Sequence, residues 1–337
     1  MKKFIKILAL LALAGMMVFV AACIKYPEQI PISLAYPPES VLPSSGGELE
    51  LAESDRETNS PEQTHSVEQR VTFGELVRID LTGQGITSEH LAEMIHNRAI
   101  PPYITHLNLA ANYIADIAPL SGLPSLVELS LWGNRVSDLA PLRELTNITH
   151  LDLWGNEFAD LSPIADLINL VSLSVGDNLN FNGDLSVLRN FTQLTNLGLG
   201  DTWQTRMDFS PIEVLVNLEQ LQLWGAGSLT DISIFNNLRN MQCLTIHASS
   251  VTDFSSLSNL TNLTRLDLQQ NKITDISHIN LERLTNLTEL FLWHNQITDV
   301  TPLKDLTGLT SLWLEGNPLI EAQITELRTA LPECEIR

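Results

Sequence analysis

The sequence is poor in aromatic residues, at 6%, and poor in basic ones, with 19 Lys and Arg against 40 Asp and Glu. Few aromatics leave the core to aliphatic side chains, chiefly Leu and Ile, within a hydrophobic content of 44%. A net charge of −21 argues against nucleic acid, whose phosphates are held by Lys and Arg. It favours solubility and repels anionic lipid headgroups. Only three cysteines are present, at Cys23, Cys243 and Cys334. Catalytic signatures are missing too: no G-x-S-x-G, no H-E-x-x-H and no G-x-x-x-x-G-K-[ST]. No enzymatic activity and no cofactor are expected.

Hydrophobic runs are short except at the start. Lys2, Lys3 and Lys6 precede an apolar stretch from Ile7 to Val20, and Val20-Ala21-Ala22-Cys23 closes it with small residues. This segment resembles a bacterial lipoprotein signal peptide, with residues 1–22 removed and Cys23 carrying the lipid. The resemblance implies export and a lipid anchor in a membrane of the bacterial cell envelope. Residues 23–70 follow as a linker with Pro27, Pro31, Pro37, Pro38, Pro43 and Pro61, a Ser44-Ser45-Gly46-Gly47 hinge and an acidic run from Glu48 to Glu57. Such composition buries too little apolar surface to order itself, so disorder is expected.

From Ile104 the chain repeats at a spacing close to 22 residues. One unit reads Ile104, Leu107, Leu109, Asn112, Ile114, Asp116, Pro119, Leu120 and Leu123. The next reads Leu126, Leu129, Leu131, Asn134, Val136, Asp138, Pro141, Leu142 and Leu145. Further units start at Ile148, Leu170, Leu194, Leu218, Met241, Leu263, Leu287 and Leu309. Physically, L-x-x-L-x-L is a short strand with its leucines inward. The Asn three residues later can bond the backbone where the chain turns. Pro suits an irregular or 3-10 return rather than a long helix. Each unit can bury its leucines only against its neighbours, so the units must stack.

These residues resemble the leucine-rich repeats of the 22-residue class found in bacterial internalins. The fold implied is an α/β repeat solenoid: a curved array with a parallel concave sheet, an irregular or 3-10 convex side and a helical cap at each end. The repeats would span 104–317, between an N-terminal cap at 71–103 and a C-terminal cap at 318–337. The Asn slot departs from the pattern at Thr202, Ala226 and Ser249, and the units starting at Leu170, Leu194 and Leu263 are two residues longer. For the caps, Leu91, Met94 and Ile95 predict a helix from Thr87 or Ser88, and Ile320, Ile324, Leu327 and Leu331 predict another ended by Pro332. Cys243 and Cys334 would lie four strands apart, about 19 Å, too far for a disulfide.

Stacked strands would align their outward residues in columns on the concave face. One column contains Trp132, Trp154, Trp224 and Trp293, each one residue after the last leucine of its strand. An exposed aromatic row marks a surface that meets a partner. Trp154 and Trp224 would stand as walls on either side of a floor of Ser, Asn and Gly, with Phe181, Trp203 and Arg206 on the rim. Phe291, Trp293 and Trp313 would form a second patch. The function expected is recognition of a protein ligand, and the internalin resemblance implies host contact as one setting. The competing reading is a glycan or cell-wall fragment stacked on tryptophan. His106, Glu128, His150 and Asp152 form a weak metal candidate. The two histidines stand about 9.6 Å apart, and cross-strand pairing accounts for the group better.

Overall fold

The computed structural model describes residues 76–178, 180–200 and 206–337. The signal segment with Cys23, the linker and Trp203 lie outside the described residues.

Among the described residues, twelve strands form one sheet, in chain order and all parallel. They are β1 (Arg78–Asp80), β2 (His106–Asn108), β3 (Glu128–Ser130), β4 (His150–Asp152), β5 (Ser172–Ser174) and β6 (Asn196–Gly200). The series continues with β7 (Gln220–Trp224), β8 (Cys243–Ile246), β9 (Arg265–Asp267), β10 (Glu289–Phe291), β11 (Ser311–Trp313) and β12 (Glu335–Ile336). Each coil re-enters the sheet in the same direction, which makes the pairing parallel. The central leucines stand in register from Leu107 through Leu129, Leu151 and Leu173 to Leu312, all buried. Burying one such side chain contributes about 1.5–3 kcal/mol, and each contact is made with an adjacent coil.

Short 3-10 turns carry the chain back along the convex side. Pro lies in the first turn of Ala118–Gly122, Ala140–Leu142, Ser162–Ile164, Ser210–Val214 and Thr301–Leu303, where its missing N–H costs nothing. An aspartate precedes each return. Asp116, Asp138 and Asp160 accept the backbone N–H two residues on, as do their counterparts through Asp299. Hydrogen bonds from the Ser233, Ser255, Ser277 and Thr301 backbone and hydroxyl groups hold Asp231, Asp253, Asp275 and Asp299 below the usual carboxylate range.

A ladder of buried asparagines closes the other corner. The Asn156 side-chain amide donates to the carbonyls of Leu131, Leu153 and Trp154, and its oxygen accepts the Val136 N–H. Asn112, Asn134, Asn178, Asn271 and Asn295 also donate to three carbonyls each. Where Ala226 breaks the ladder, the strands themselves extend: β6 and β7 have five residues each and pair as far as Gly200 and Trp224.

The caps follow the expected helices. α1 (Ser88–His96) starts at Thr87, whose hydroxyl accepts the His90 N–H, and it buries Leu91. α2 (Glu321–Ala330) buries Leu327 and stops before Pro332. Ile320 is a correction: it sits at the N-cap, outside the first turn, and is 64% exposed. Ile336 belongs to β12, a further parallel strand of the sheet. Cys243 and Cys334 are not joined to each other and are half-buried.

Candidate functional site

The strand registers place the outward residues in the columns expected. One runs His106, Glu128, His150, Ser172, Asn196, Gln220, Cys243, Arg265, Glu289, Ser311. The next runs Asn108, Ser130, Asp152, Ser174, Gly198, Gln222, Thr245, Asp267, Phe291, Trp313. The tryptophans do not stand out of these columns as an exposed row. Trp154 is 6% exposed. Its indole lies over the next two residues of its own column: a Cβ on Gly176 would overlap the ring, and one on Gly200 would come within 2.8 Å of it. The glycines are the socket of Trp154, and Trp154 is part of the floor rather than a wall. Phe181, expected on the rim, is buried edge-on against Phe158 with ring centroids 6.0 Å apart. Arg206 is exposed on the connection after β6, and Trp132 is half-buried.

The second aromatic patch also packs on itself. Phe291 is buried, with the Arg265 guanidinium 4.6 Å from its ring centroid and Trp313 edge-on at 4.9 Å. Arg265 Nη1 pairs with Glu289 Oε2 at 2.7 Å, and Arg337 lies 5.1 Å from the Trp313 ring centroid. Trp224 and His247 are half-buried against each other, ring centroids 5.3 Å apart. Burial pushes His247 down to about 4, so it is neutral at pH 7. The indole N–H groups of Trp224 and Trp293 are buried without an acceptor among the described residues.

Two carboxylates of one column stand apart from the surface acids. Asp267 is fully buried; it accepts the Gln269 backbone and side-chain N–H groups at 3.1 Å each, and burial pushes it up to about 7. Asp152 is half-buried. It accepts the Trp154 N–H at 3.1 Å and a longer bond from the Ser130 hydroxyl, and burial pushes it up to about 6 against the pull of these bonds and of Ser174.

Two histidines of the weak metal candidate have side-chain partners. His106 Nε2 meets Glu128 Oε1 at 3.3 Å, and His150 Nδ1 meets the Thr149 hydroxyl at 2.8 Å. Burial lowers His106, with Glu128 acting against it. Among the described residues, no group of three His, Cys, Asp or Glu is placed to hold a metal ion. Among those residues, too, no helix is long and apolar enough to cross a membrane.

What stays open is a lane of short polar side chains across β4 to β7: Asp152, Ser172, Ser174, Asn196, Gly198 and Gln222, all half-buried. At Gly198 an added Cβ would meet nothing closer than the Ser174 hydroxyl at 3.5 Å, an ordinary van der Waals contact, so a side chain can start there. Two shallow grooves, about 680 and 380 Å³, lie elsewhere, where the strands begin. Their lining includes asparagines such as Asn169 and Asn262, which bond the carbonyl of the preceding coil. The lane is therefore an open surface, not a cavity, suited to binding rather than to water-excluding chemistry.

A family model of leucine-rich repeats in two copies matches residues 104–144 and 285–329. No curated protein sequence matches the chain. Among solved structures, an internalin of Listeria monocytogenes is 27% identical over 77% of this chain and 86% of its own, with a TM-score of 0.49. A leucine-rich repeat protein of Leptospira interrogans is 22% identical over 69% and 72%, with a TM-score of 0.51. The plant peptide hormone receptor RGFR1, in complex with RGF2, is 21% identical over 77% of this chain and 47% of its own, with a TM-score of 0.55. The fold is a leucine-rich repeat solenoid.

Proposed function

We propose that this leucine-rich repeat chain is a non-catalytic recognition protein, lipid-anchored at Cys23 in the bacterial cell envelope, that binds a protein or peptide ligand on its concave face. The observation that carries the reading is the open polar lane from Asp152 to Gln222 beside the ring of Trp154. A protruding loop can reach backbone-level depth at Gly198 and meet hydroxyl and amide groups around it. The solved structure of a plant receptor of this fold with a peptide hormone supports a peptide as the class of ligand. The packing of the tryptophans favours a polypeptide over a glycan. Sugar stacking needs a free indole face, and Trp154 is only 6% exposed while Trp224 rests against His247. Trp132, Trp224, Trp293 and Trp313 then serve as half-buried edges of the ligand surface, with Arg206 on the adjoining connection.

The test is comparative capture. Full-length protein and its Gly198→Phe variant are immobilised and exposed to an envelope extract, and bound proteins are read by mass spectrometry. A partner retained by the first and lost by the second supports the reading. Equal capture by both removes the lane, and retention on a glycan array alone replaces the protein ligand with a sugar. For the anchor, metabolic labelling with a fatty-acid analogue should mark the protein and leave Cys23→Ala unmarked. A labelled variant contradicts lipidation at Cys23.

A further inference from the structure

The lane carries an acid without a counterion. Between β2 and β8 the outward columns hold no Lys or Arg, while Glu128 and Asp152 are both there. The nearest basic residue of the columns on the C-terminal side, Arg265, is spoken for by Glu289 at 2.7 Å and by the Phe291 ring. On the N-terminal side His106 faces Glu128 at 3.3 Å. Among the described residues, the hydrogen-bond partners of Asp152 are all neutral: the Trp154 N–H and the Ser130 and Ser174 hydroxyls. Its register partners Ser130 and Ser174 are short, so no long side chain of the neighbouring strands stands over the carboxylate in that column. The Trp154 indole begins two residues further along the same strand.

We infer that Asp152 is the anchor of the lane and receives a Lys or Arg side chain of the protein ligand, so that the partner presents a basic segment to the concave face. An ammonium or guanidinium group there meets the carboxylate and can donate to the Ser130 and Ser174 hydroxyls. Residues 76–337 carry 30 acidic against 13 basic side chains, and that field speeds the approach of a basic partner. Desolvation of Asp152 in the free protein fits the same picture, because a cation restores the charged form that burial disfavours. The inference rests on the concave-face reading and adds the chemistry of the partner to it.

A random peptide library displayed on phage, panned on the full-length protein, tests it. Selected peptides should share a Lys or Arg. As synthetic peptides they should bind Asp152→Asn about tenfold or more weakly than the parent, and Asp138→Asn on the return side within about twofold of it. The Asp138 control carries the same change of net charge. Equal losses at both sites would reduce the effect to the overall field and overturn the inference. So would selected peptides without a basic residue. Gly198→Phe separates the two levels: peptides that it blocks and Asp152→Asn does not would leave the concave face standing without this anchor. Peptides that neither variant affects would remove both. Circular dichroism and urea midpoints establish that each variant is folded.

Discussion

The indole of Trp154 occupies the space that a Cβ on Gly176 would need, one strand away in the same column. This volume exchange makes the central floor of the sheet a composite of one large residue and two absent side chains, since Gly200 completes the socket. Gly176→Ala should therefore push the ring out and cost about 1–3 kcal/mol, and Trp154→Ala should cost about 3–5 kcal/mol by leaving a cavity. In the Trp154→Ala background the Gly176→Ala change should cost almost nothing. Urea midpoints of the four proteins measure the coupling; additive losses would show that ring and glycine do not share the space.

Asp267 should make the solenoid less stable as pH rises through neutrality. Its folded pKa is raised from 3.8 to about 7, so the folded state holds the proton more tightly than the unfolded one. That contribution is complete below pH 4 and is lost as pH climbs to about 7, at most a few kcal/mol. Asp267→Asn keeps a neutral side chain and should lack this loss. The difference between the two proteins in urea midpoint at pH 5 and at pH 8 isolates the residue. An unchanged difference would remove Asp267 as its source. Below pH 4 the sign reverses for Asp231, Asp253, Asp275 and Asp299, whose folded pKa values are lowered and whose turn bonds are lost on protonation.

The parts of this structure that were readable from the chain are those set within one repeat or by its exact phase. Leu107, Leu129 and Leu151 recur at one spacing because each fills the same place in its coil, and the phase of the repeats aligned every strand pair of the array. Asn156 and Asp138 were legible as turn residues for the same reason. The exposure of Trp154 was not, since it depends on residues 22 and 46 positions later. The signal was present as two glycines following a tryptophan in one column, a complementarity of volume that appears only when the columns are read along their length. The burial of Asp267 likewise depends on neighbouring strands, with Arg265 beside it held beneath the ring of Phe291, itself packed against Trp313. Ile320 kept the spacing of a helical stripe yet fell outside the first turn of α2, where it faces solvent.

Asn156→Ala should destabilise strongly for a polar-to-apolar change. The variant leaves the Val136 N–H without its acceptor, while the Leu131 and Leu153 carbonyls lose one amide donor each and keep those of Asn134 and Asn178. A buried group left unpaired costs about 1–3 kcal/mol, so a loss of at least about 1 kcal/mol is expected in urea denaturation. A loss under about 0.5 kcal/mol would mean that the ladder is dispensable at this coil.

Ala248→Gly should stabilise. Ala248 turns the chain out of β8 at a φ of 51°, a left-handed conformation that costs a residue with a Cβ about 1 kcal/mol. Gly133, Gly155 and Gly316 fill the same place in other coils. A rise in thermal midpoint is the expected result, and a fall would show that the Ala248 methyl group contributes more by packing than it loses by strain.

The most direct test of the central claim is the affinity of a captured ligand for the parent protein and for Gly198→Phe, measured by calorimetry on proteins of equal thermal midpoint. Gly198 has no left-handed backbone requirement and an added Cβ there makes only ordinary contacts with Ser174, so the ring should fill the lane without unfolding the sheet. A loss of affinity of about tenfold or more places the ligand on the concave face. Unchanged affinity in a folded variant would contradict the account and move the ligand to another surface of the solenoid.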